Sequence, residues 1–375
     1  MREEERLLLQ AIADAKTSGR KAAIATVVRV VGSAYRREGT KMLIDADGGQ
    51  VCMISGGCLE QQVGAVAKEV MESGQAVVKF FDLDEEVVWG LGLGCGGAVD
   101  VYIEPLDIGE EFKLWLDTVQ AQKAGVLATI LNVKEGSSFR KAARLFVDEN
   151  GKVSGNLGHE SLNEQVLERA KEKMSQLYPR SETRTFKAND EAVEVFIDVN
   201  VPPPELAIFG AGHDAVPVAS YANKLGFRVT VIDARHAFVT PERFPNASLV
   251  RTHPSGFEEK VTLSPRTYVV LMNHHLERDK ESLAFALTKN VPYIGVLGPR
   301  SRYERMLNAL KDENRMPSAK ELSVVRNPIG VDIGADTPDE IAVSIMSELI
   351  AIRGNYKAGF LNERAGRIHA GLEAV

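Results

Sequence analysis

Three cysteines in 375 residues, Cys52, Cys58 and Cys95, are too few for a disulfide framework. None has the Cys-x-x-Cys spacing of a zinc ribbon, so all three are expected as reduced thiols. No apolar run approaches the roughly 20 residues that span a bilayer, and the charged start Met1-Arg-Glu-Glu-Glu-Arg6 predicts a soluble, cytoplasmic chain with no membrane partner. A long basic block is missing too. Lys and Arg number 45 against 52 Asp and Glu, a formal charge of -7, which argues against nucleic acid as a partner. The length leaves room for two or three domains, each with its own core.

What the chain does have is glycine in an unusual place. Trp89-Gly-Leu-Gly-Leu-Gly-Cys-Gly-Gly97 holds one thiol among glycines at 90, 92, 94, 96 and 97. Glycines permit positive φ and let successive N–H groups converge on an anion. Glycine runs are most often plain connectors, but a comparison inside the chain favours a functional reading. Ala25-Thr-Val-Val-Arg-Val30 resembles Ala128-Thr-Ile-Leu-Asn-Val133, and Met42-Leu-Ile-Asp45 resembles Leu145-Phe-Val-Asp148. Leu59-Glu-Gln-Gln-Val63 matches Leu162-Asn-Glu-Gln-Val166, and Asp100-Val-Tyr-Ile-Glu104 matches Glu194-Val-Phe-Ile-Asp198. The spacing between copies falls from 103 at Met71 and Met174 to 94 at Asp100 and Glu194, nine residues, the length of Trp89 to Gly97. The second copy thus carries the scaffold without the glycine loop. In the same register Gly56-Gly57-Cys58 becomes His159-Glu160-Ser161. Features kept in one of two like-folded copies point to a ligand rather than to packing.

Residues 4 to 18 have helical periodicity, with Gly19 as C-cap. Ala22 to Val30, Lys41 to Ile44 and Gln50 to Ser55 read as strands, the last two joined by an Asp-Gly hairpin turn. Leu59, Val63, Val66 and Val70 predict a helix up to Gly74, which puts Cys58 at or just before its start, where unpaired N–H groups and the dipole favour a thiolate. Cys58 and Cys95 are candidate nucleophiles or soft-metal ligands. Cys52, inside an apolar strand, reads as a packing residue. Arg36 and Arg37 are candidate donors to an oxyanion.

Pro202-Pro-Pro204 marks a domain boundary. Glu205 to Phe209 is a short apolar strand that opens into Gly210-Ala-Gly212-His213-Asp-Ala215, followed by a helical pattern and a second strand ending at Asp233. This order is the dinucleotide fingerprint, with diphosphate on the helix N-terminus and Asp233 on a ribose hydroxyl. Arg235 and His236 leave NAD against NADP open. Thr267 to Met272 delivers His274 and His275 to a strand end, Gly298-Pro-Arg300 is a further candidate anion loop, and Thr337 caps the last helix with Pro338 and Glu340 behind it.

Together these segments resemble the XdhC/CoxI family, accessory proteins of xanthine dehydrogenase and related molybdenum hydroxylases. The matching pieces are Gly32-Ser-Ala with its arginines, Ser55-Gly-Gly-Cys-Leu-Glu60, Trp89 to Gly97, Phe209-Gly-Ala-Gly-His213, Gly298-Pro-Arg300 and Asp332-Ile-Gly-Ala335 through Thr337-Pro338. One departure stands out: Met272-Asn-His-His-Leu-Glu277 has leucine where the family pattern Met-Thr-His-x-His-Glu has its second histidine. The resemblance implies an α/β protein. An N-terminal α+β domain, residues 1–200, holds an internal duplication with copies at about 20–105 and 124–200; a Rossmann-like doubly wound parallel sheet follows over 205–375. It implies a cytoplasmic accessory protein that binds molybdenum cofactor (molybdopterin), assists its sulfuration by a cysteine desulfurase and delivers it to an apo-hydroxylase, acting as a homo-oligomer, a dimer, without turnover of its own. The chain lacks the cysteine sets of iron–sulfur clusters and is short for the hydroxylase itself. The residues assigned to cofactor are Arg36, Arg37, Ser55, Gly56, Gly57, Cys58, Gly92, Gly94, Cys95, Gly96 and Gly97 in the first domain. In the second they are Gly210, Gly212, His213, Asp233, His274 and Arg300, where NAD(P) or another nucleotide would sit. The competing reading is an NAD(P)-dependent oxidoreductase using the C-terminal domain, with His213, His274 or His275 as proton donor.

Overall fold

A computed structural model of the chain describes residues 3–32, 34–82, 97–106 and 109–363. Met1–Pro202 form one compact unit and Pro203–Glu363 belong to a second. The first unit contains the same arrangement twice. In copy 1, α1 (Glu3–Ser18) precedes β1 (Ala22–Gly32), β2 (Lys41–Asp45) and β3 (Gln50–Val51), followed by α2 (Glu60–Ser73), β4 (Val77–Asp82) and β5 (Gly97–Pro105). In copy 2, α3 (Glu110–Gln120) precedes β6 (Gly125–Asn132), β7 (Arg144–Asp148) and β8 (Val153–Gly155), followed by α4 (Glu160–Ser175), β9 (Glu182–Ala188) and β10 (Glu191–Asn200). The antiparallel sheets run β3-β2-β1-β5-β4 and β8-β7-β6-β10-β9, the same order. The repeat also includes the helix ahead of each sheet, which boundaries near residues 20 and 124 leave out.

Local chemistry repeats with the topology. The Asp45 carboxylate accepts N–H bonds from Asp47 at 3.0 Å and Gly49 at 2.6 Å, closing the β2–β3 turn. Asp148 does the same for Asn150 and Lys152 at 2.9 and 2.8 Å. Each sheet buries one face under its own helix: Val63, Ala67 and Val70 of α2 on Ala25, Met42 and Val101, and Leu162, Val166 and Ala170 of α4 on Ala128, Leu145 and Val195. The opposite faces meet each other through Val28, Tyr102, Leu131 and Phe196. Corresponding ion pairs cross this contact in both directions. Lys41 of β2 reaches Asp198 of β10 at 2.5 Å, and Arg144 of β7 reaches Glu104 of β5. Each copy therefore supplies a buried cation from its second strand and an acid from its last, the reciprocity of a twofold interface.

In the second unit β11 (Glu205–Phe209), α5 (Ala215–Lys224), β12 (Arg228–Asp233), β13 (Ala247–Arg251), α6 (Phe257–Lys260), β14 (Thr267–Leu271), α7 (Leu276–Leu287), β15 (Tyr293–Val296), α8 (Arg300–Asp312), α9 (Ala319–Leu322), β16 (Val325–Arg326) and α10 (Pro338–Gly354) follow in order. The six strands form a parallel sheet in the order β13-β12-β11-β14-β15-β16, a doubly wound Rossmann sheet. The order reverses between β11 and β14, so ligand chemistry belongs at the carboxyl ends of β11, β12 and β14. Phe257, Leu283, Phe285, Met306 and Leu310 cover one face with Phe209, Val269 and Ile294. The capping box is formed at α10: Thr337 accepts from Glu340 N, and Glu340 accepts from Thr337 N at 2.9 Å. Among the described residues no helix is long and apolar enough to cross a membrane.

Candidate functional site

Ser55-Gly-Gly-Cys-Leu-Glu60 forms a turn that ends where α2 begins. Ser55 N–H donates to Glu60 Oε1 at 2.8 Å and the Ser55 hydroxyl to Glu60 Oε2. Leu59 N–H reaches Ser55 Oγ at 3.1 Å and Glu60 Oε2 at 3.2 Å, and Gly57 N–H reaches Ser55 Oγ at 3.3 Å. Burial raises the Glu60 pKa, but the bonds from Ser55 and the backbone outweigh it and hold the carboxyl below its ordinary range. Inside this frame a Cβ added at Gly56 or Gly57 would meet no atom within 4 Å, and Gly57 has φ +108°. The glycine at 56 is thus not there to make room for protein. Leu59 at the N-cap offers no side-chain acceptor, leaving first-turn N–H groups of α2 without a capping side chain. Cys58, half-buried with its inner side against the core, stands two residues ahead of the helix.

Copy 2 closes the same place. Helix α4 starts at Glu160, which corresponds to Gly57, so it begins three residues earlier than α2, and His159 caps it by accepting from Ser161 N at 3.2 Å. In the separate loop between β6 and β7, Ser137 and Ser138 are held by Glu191.

Other assignments divide. Arg36 is committed to Glu4 of α1 through both terminal nitrogens, at 3.2 and 2.5 Å, with its guanidinium beside the Tyr35 ring. This pair ties α1 to the loop after β1, while the buried Arg36 Nε has no hydrogen-bond partner among the described residues. Arg37 follows Arg36, half-buried. The reading of Cys52 is corrected. The strand stops at Val51, Cys52 turns left-handed with φ 65°, its thiol donates to Glu4 O at 3.3 Å, and it is only partly buried. Burial, then the Glu4 charge, push its pKa up, so it is a thiol and not a thiolate. Gly97 opens β5, paired with Gly32. Gly92, Gly94, Cys95 and Gly96 lie outside the described residues.

In the second unit Gly210 has φ +116° and its missing Cβ would lie 2.4 Å from Met272 O, so the turn admits only glycine there. Gly212 lies beneath Asp214 and His274: its missing Cβ would be 3.4 Å from Asp214 Oδ1 and 3.5 Å from His274 Cδ2. His274, left-handed at φ 55°, holds Asp214 Oδ2 through Nε2 at 2.8 Å. Arg243 organises the turn from the other side, donating to Ala211 O at 2.8 Å and Gly212 O at 3.0 Å. Asp233 is buried beneath Arg235. Its carboxylate accepts from Ala211 N at 2.8 Å, from Arg235 N at 2.9 Å and from the Arg235 side chain at 2.6 Å. Burial raises its pKa, and these bonds more than reverse that. With its side chain at 0% exposure, Asp233 cannot itself meet a ribose hydroxyl, which corrects that expectation. His213 packs its ring against Phe238, and Arg300 is exposed in the first turn of α8. Elsewhere Glu277, Glu281 and Glu313 converge, but Lys280 Nζ lies among them, 2.7 Å from Glu277, where a metal ion would sit.

Comparison with known proteins bears on both units. The family model described as the XdhC and CoxI family matches residues 15–82 and 118–186, and the model described as the XdhC Rossmann domain matches residues 206–349. A Bacillus subtilis (strain 168) protein described as a probable xanthine dehydrogenase subunit is 31% identical over 89% of this chain and 93% of its own length. The chain belongs to the XdhC and CoxI family. The PaoD protein of Escherichia coli K12, described as a molybdenum cofactor insertion chaperone, is 24% identical over 94% of this chain and 89% of its own length. A crystal structure described as a xanthine dehydrogenase from Bacillus halodurans has a TM-score of 0.73 and 29% identity, covering 95% of this chain and 97% of that one.

Within this XdhC-family chain the departure at Leu276 has a structural account. His275 is the N-cap of α7, and Leu276 packs on the core beside Leu283 and Phe285. His274 reaches the glycine turn, through its bond to Asp214 and beside Gly212. Asp279, fully buried, holds that segment by accepting from Asn273 N at 3.0 Å and Asn273 Nδ2 at 2.9 Å while pairing with Arg302 at 2.6 Å. Sequence reasoning missed Asp214, Asp279, Arg243 and Glu4. Asp214 was visible inside the glycine motif; Arg243 and Glu4 act across separations of 32 residues and leave no spacing signal, and Asp279 pairs with Arg302 23 residues on.

Proposed function

We propose that this chain binds molybdenum cofactor in copy 1 of its first unit and passes it to a xanthine dehydrogenase or related molybdenum hydroxylase, with sulfuration by a cysteine desulfurase while it is held. The observation that carries this reading is the opened turn at Ser55–Cys58 set against its closed counterpart at 158–161. The group would be held there by a match of chemistry. Its phosphate and pterin oxygens suit the glycine backbone and the first-turn N–H groups of α2, and its soft metal–sulfur centre suits the Cys58 thiol. Bound, the cofactor supplies the redox chemistry of the recipient enzyme; this chain's residues hold and orient it. Ser55 and Glu60 fix the turn, Gly56 and Gly57 admit the ligand to the backbone, and Cys58 presents sulfur beside it. The relatives' descriptions, one as a molybdenum cofactor insertion chaperone and one as part of a xanthine dehydrogenase, support the assignment.

The second unit is proposed to bind a nucleotide at its glycine turn. An oxidoreductase reading would make His274, steadied by Asp214, the proton donor; hydride transfer from NADH or NADPH by the purified chain would favour it. The maturation reading is tested by incubating apo-hydroxylase with a cofactor source and with or without this chain. Purine oxidation is expected only in its presence and is expected to fall with Cys58→Ser. Purine oxidation by the chain alone, or equal maturation without it, contradicts the proposal.

A further inference from the structure

The carboxyl ends of β12, β13 and β14 enclose a crevice lined by Asp233, Ala234, Thr252, Asn273 and Arg278. In a doubly wound sheet this is the adenosine half of a dinucleotide site, where the acid ending the second strand takes the ribose diol. Asp233 is filled by Ala211 N and Arg235 and has no exposed side-chain surface. What faces outward beside it is cationic. Arg278 Nη1 lies 3.7 Å from Asp233 Oδ1, beyond hydrogen-bond distance, with its side chain 30% exposed. It donates to none of the described residues. Arg235 is 35% exposed. Two guanidinium groups against one carboxylate leave this end of the crevice net positive, and a guanidinium fork matches a phosphate bidentately. The other half has the opposite character: Asp214 brings a carboxylate to the N-cap of α5, where a diphosphate would sit.

We infer that this crevice selects an adenine nucleotide carrying a phosphomonoester on the 2′ or 3′ hydroxyl of its adenosine ribose, bound by Arg278 beside Arg235 in place of a free diol. The inference rests on the proposal that the second unit binds a nucleotide. Arg278 is the specificity-determining residue. Arg278 touches the fold through the 3.7 Å ion pair with Asp233, and Arg235 still holds that carboxylate by hydrogen bonds when Arg278 is lost, so Arg278→Gln leaves the fold intact, whereas Arg235 variants would uncover Asp233.

Calorimetric titration of the full chain with NADP+, NAD+, adenosine 2′,5′-bisphosphate and 5′-AMP tests this directly. The expected result is preference for the 2′-phosphorylated member of each pair by at least about tenfold, the scale of one charge-assisted contact. Arg278→Gln should bring both ratios toward one with an unchanged melting temperature. NAD+ and NADP+ binding equally in the wild type, or ratios that survive Arg278→Gln, overturn the inference while leaving a nucleotide in the second unit. Binding of none of the four overturns both.

Discussion

Copy 1 and copy 2 of the first unit share sheet order, turn chemistry and core, yet they differ at one corner. Copy 2 starts its helix three residues earlier and caps it with His159. Copy 1 begins α2 only at Glu60, leaves the N-cap without a side-chain acceptor and holds two glycines over open space beside a thiol. An N-cap side chain contributes about 1 kcal/mol, so copy 1 forgoes stability that its twin retains. Where two similar folds diverge toward lower stability, the divergence marks what function requires.

The largest effects should come from what the copies share. Lys41→Met leaves Asp198 buried without its cation and is expected to cost about 3–5 kcal/mol in urea denaturation, with Arg144→Met costing a similar amount through Glu104. A large loss from one and none from the other would break the reciprocity.

An intermediate effect concerns Glu60 and its counterpart Asn163, which accepts from Leu157 N at 2.9 Å. The Glu60 pKa is lowered in the folded chain, so its stabilisation is present above the ordinary value of 4.5 and is lost as pH falls through the folded value. Denaturation midpoints across acidic pH should show the penalty of Glu60→Gln vanishing in that window. The penalty of Asn163→Ala should persist through it, since Asn163 does not titrate.

The smallest effect is expected at the thiols. Cys58→Ser should move stability by no more than about 0.5 kcal/mol, because its outer side is exposed and Ser161 takes the same place in copy 2. Cys52→Gly should also be tolerated within about 1 kcal/mol, since copy 2 has Gly155, φ 85°, at that left-handed position. Thermal unfolding of both variants measures this, and a loss of several kcal/mol at Cys58 would make it a core residue.

Much of this was readable in the chain. Periodicity placed Cys58 just ahead of a helix, and the repeat offsets anticipated two equal sheets before any strand was seen. Glycine spacing and strand order foretold the Rossmann sheet. Backbone conformation at single residues was not legible. An apolar run through Cys52 hides a left-handed turn, so a strand pattern overran its end. Partners across long separations were equally silent: Glu4 claims Arg36, and Arg235 with Ala211 closes Asp233, though each motif alone suggests an open group. The Trp89–Gly97 loop was the most prominent motif in the chain, and apart from Gly97 it lies outside the described residues.

The central claim is that the opened corner of copy 1 holds the cofactor. Its most direct test is the pterin content of protein purified from a cofactor-replete cell. Ser55→Gly, Gly56→His, Gly57→Glu and Cys58→Ser together write the copy 2 sequence into copy 1, and Gly158→Ser, His159→Gly, Glu160→Gly and Ser161→Cys do the reverse as a control. The first replacement should abolish bound pterin in a folded protein, while the second should leave the wild-type complement in place. Wild-type pterin content in the first variant would contradict the account.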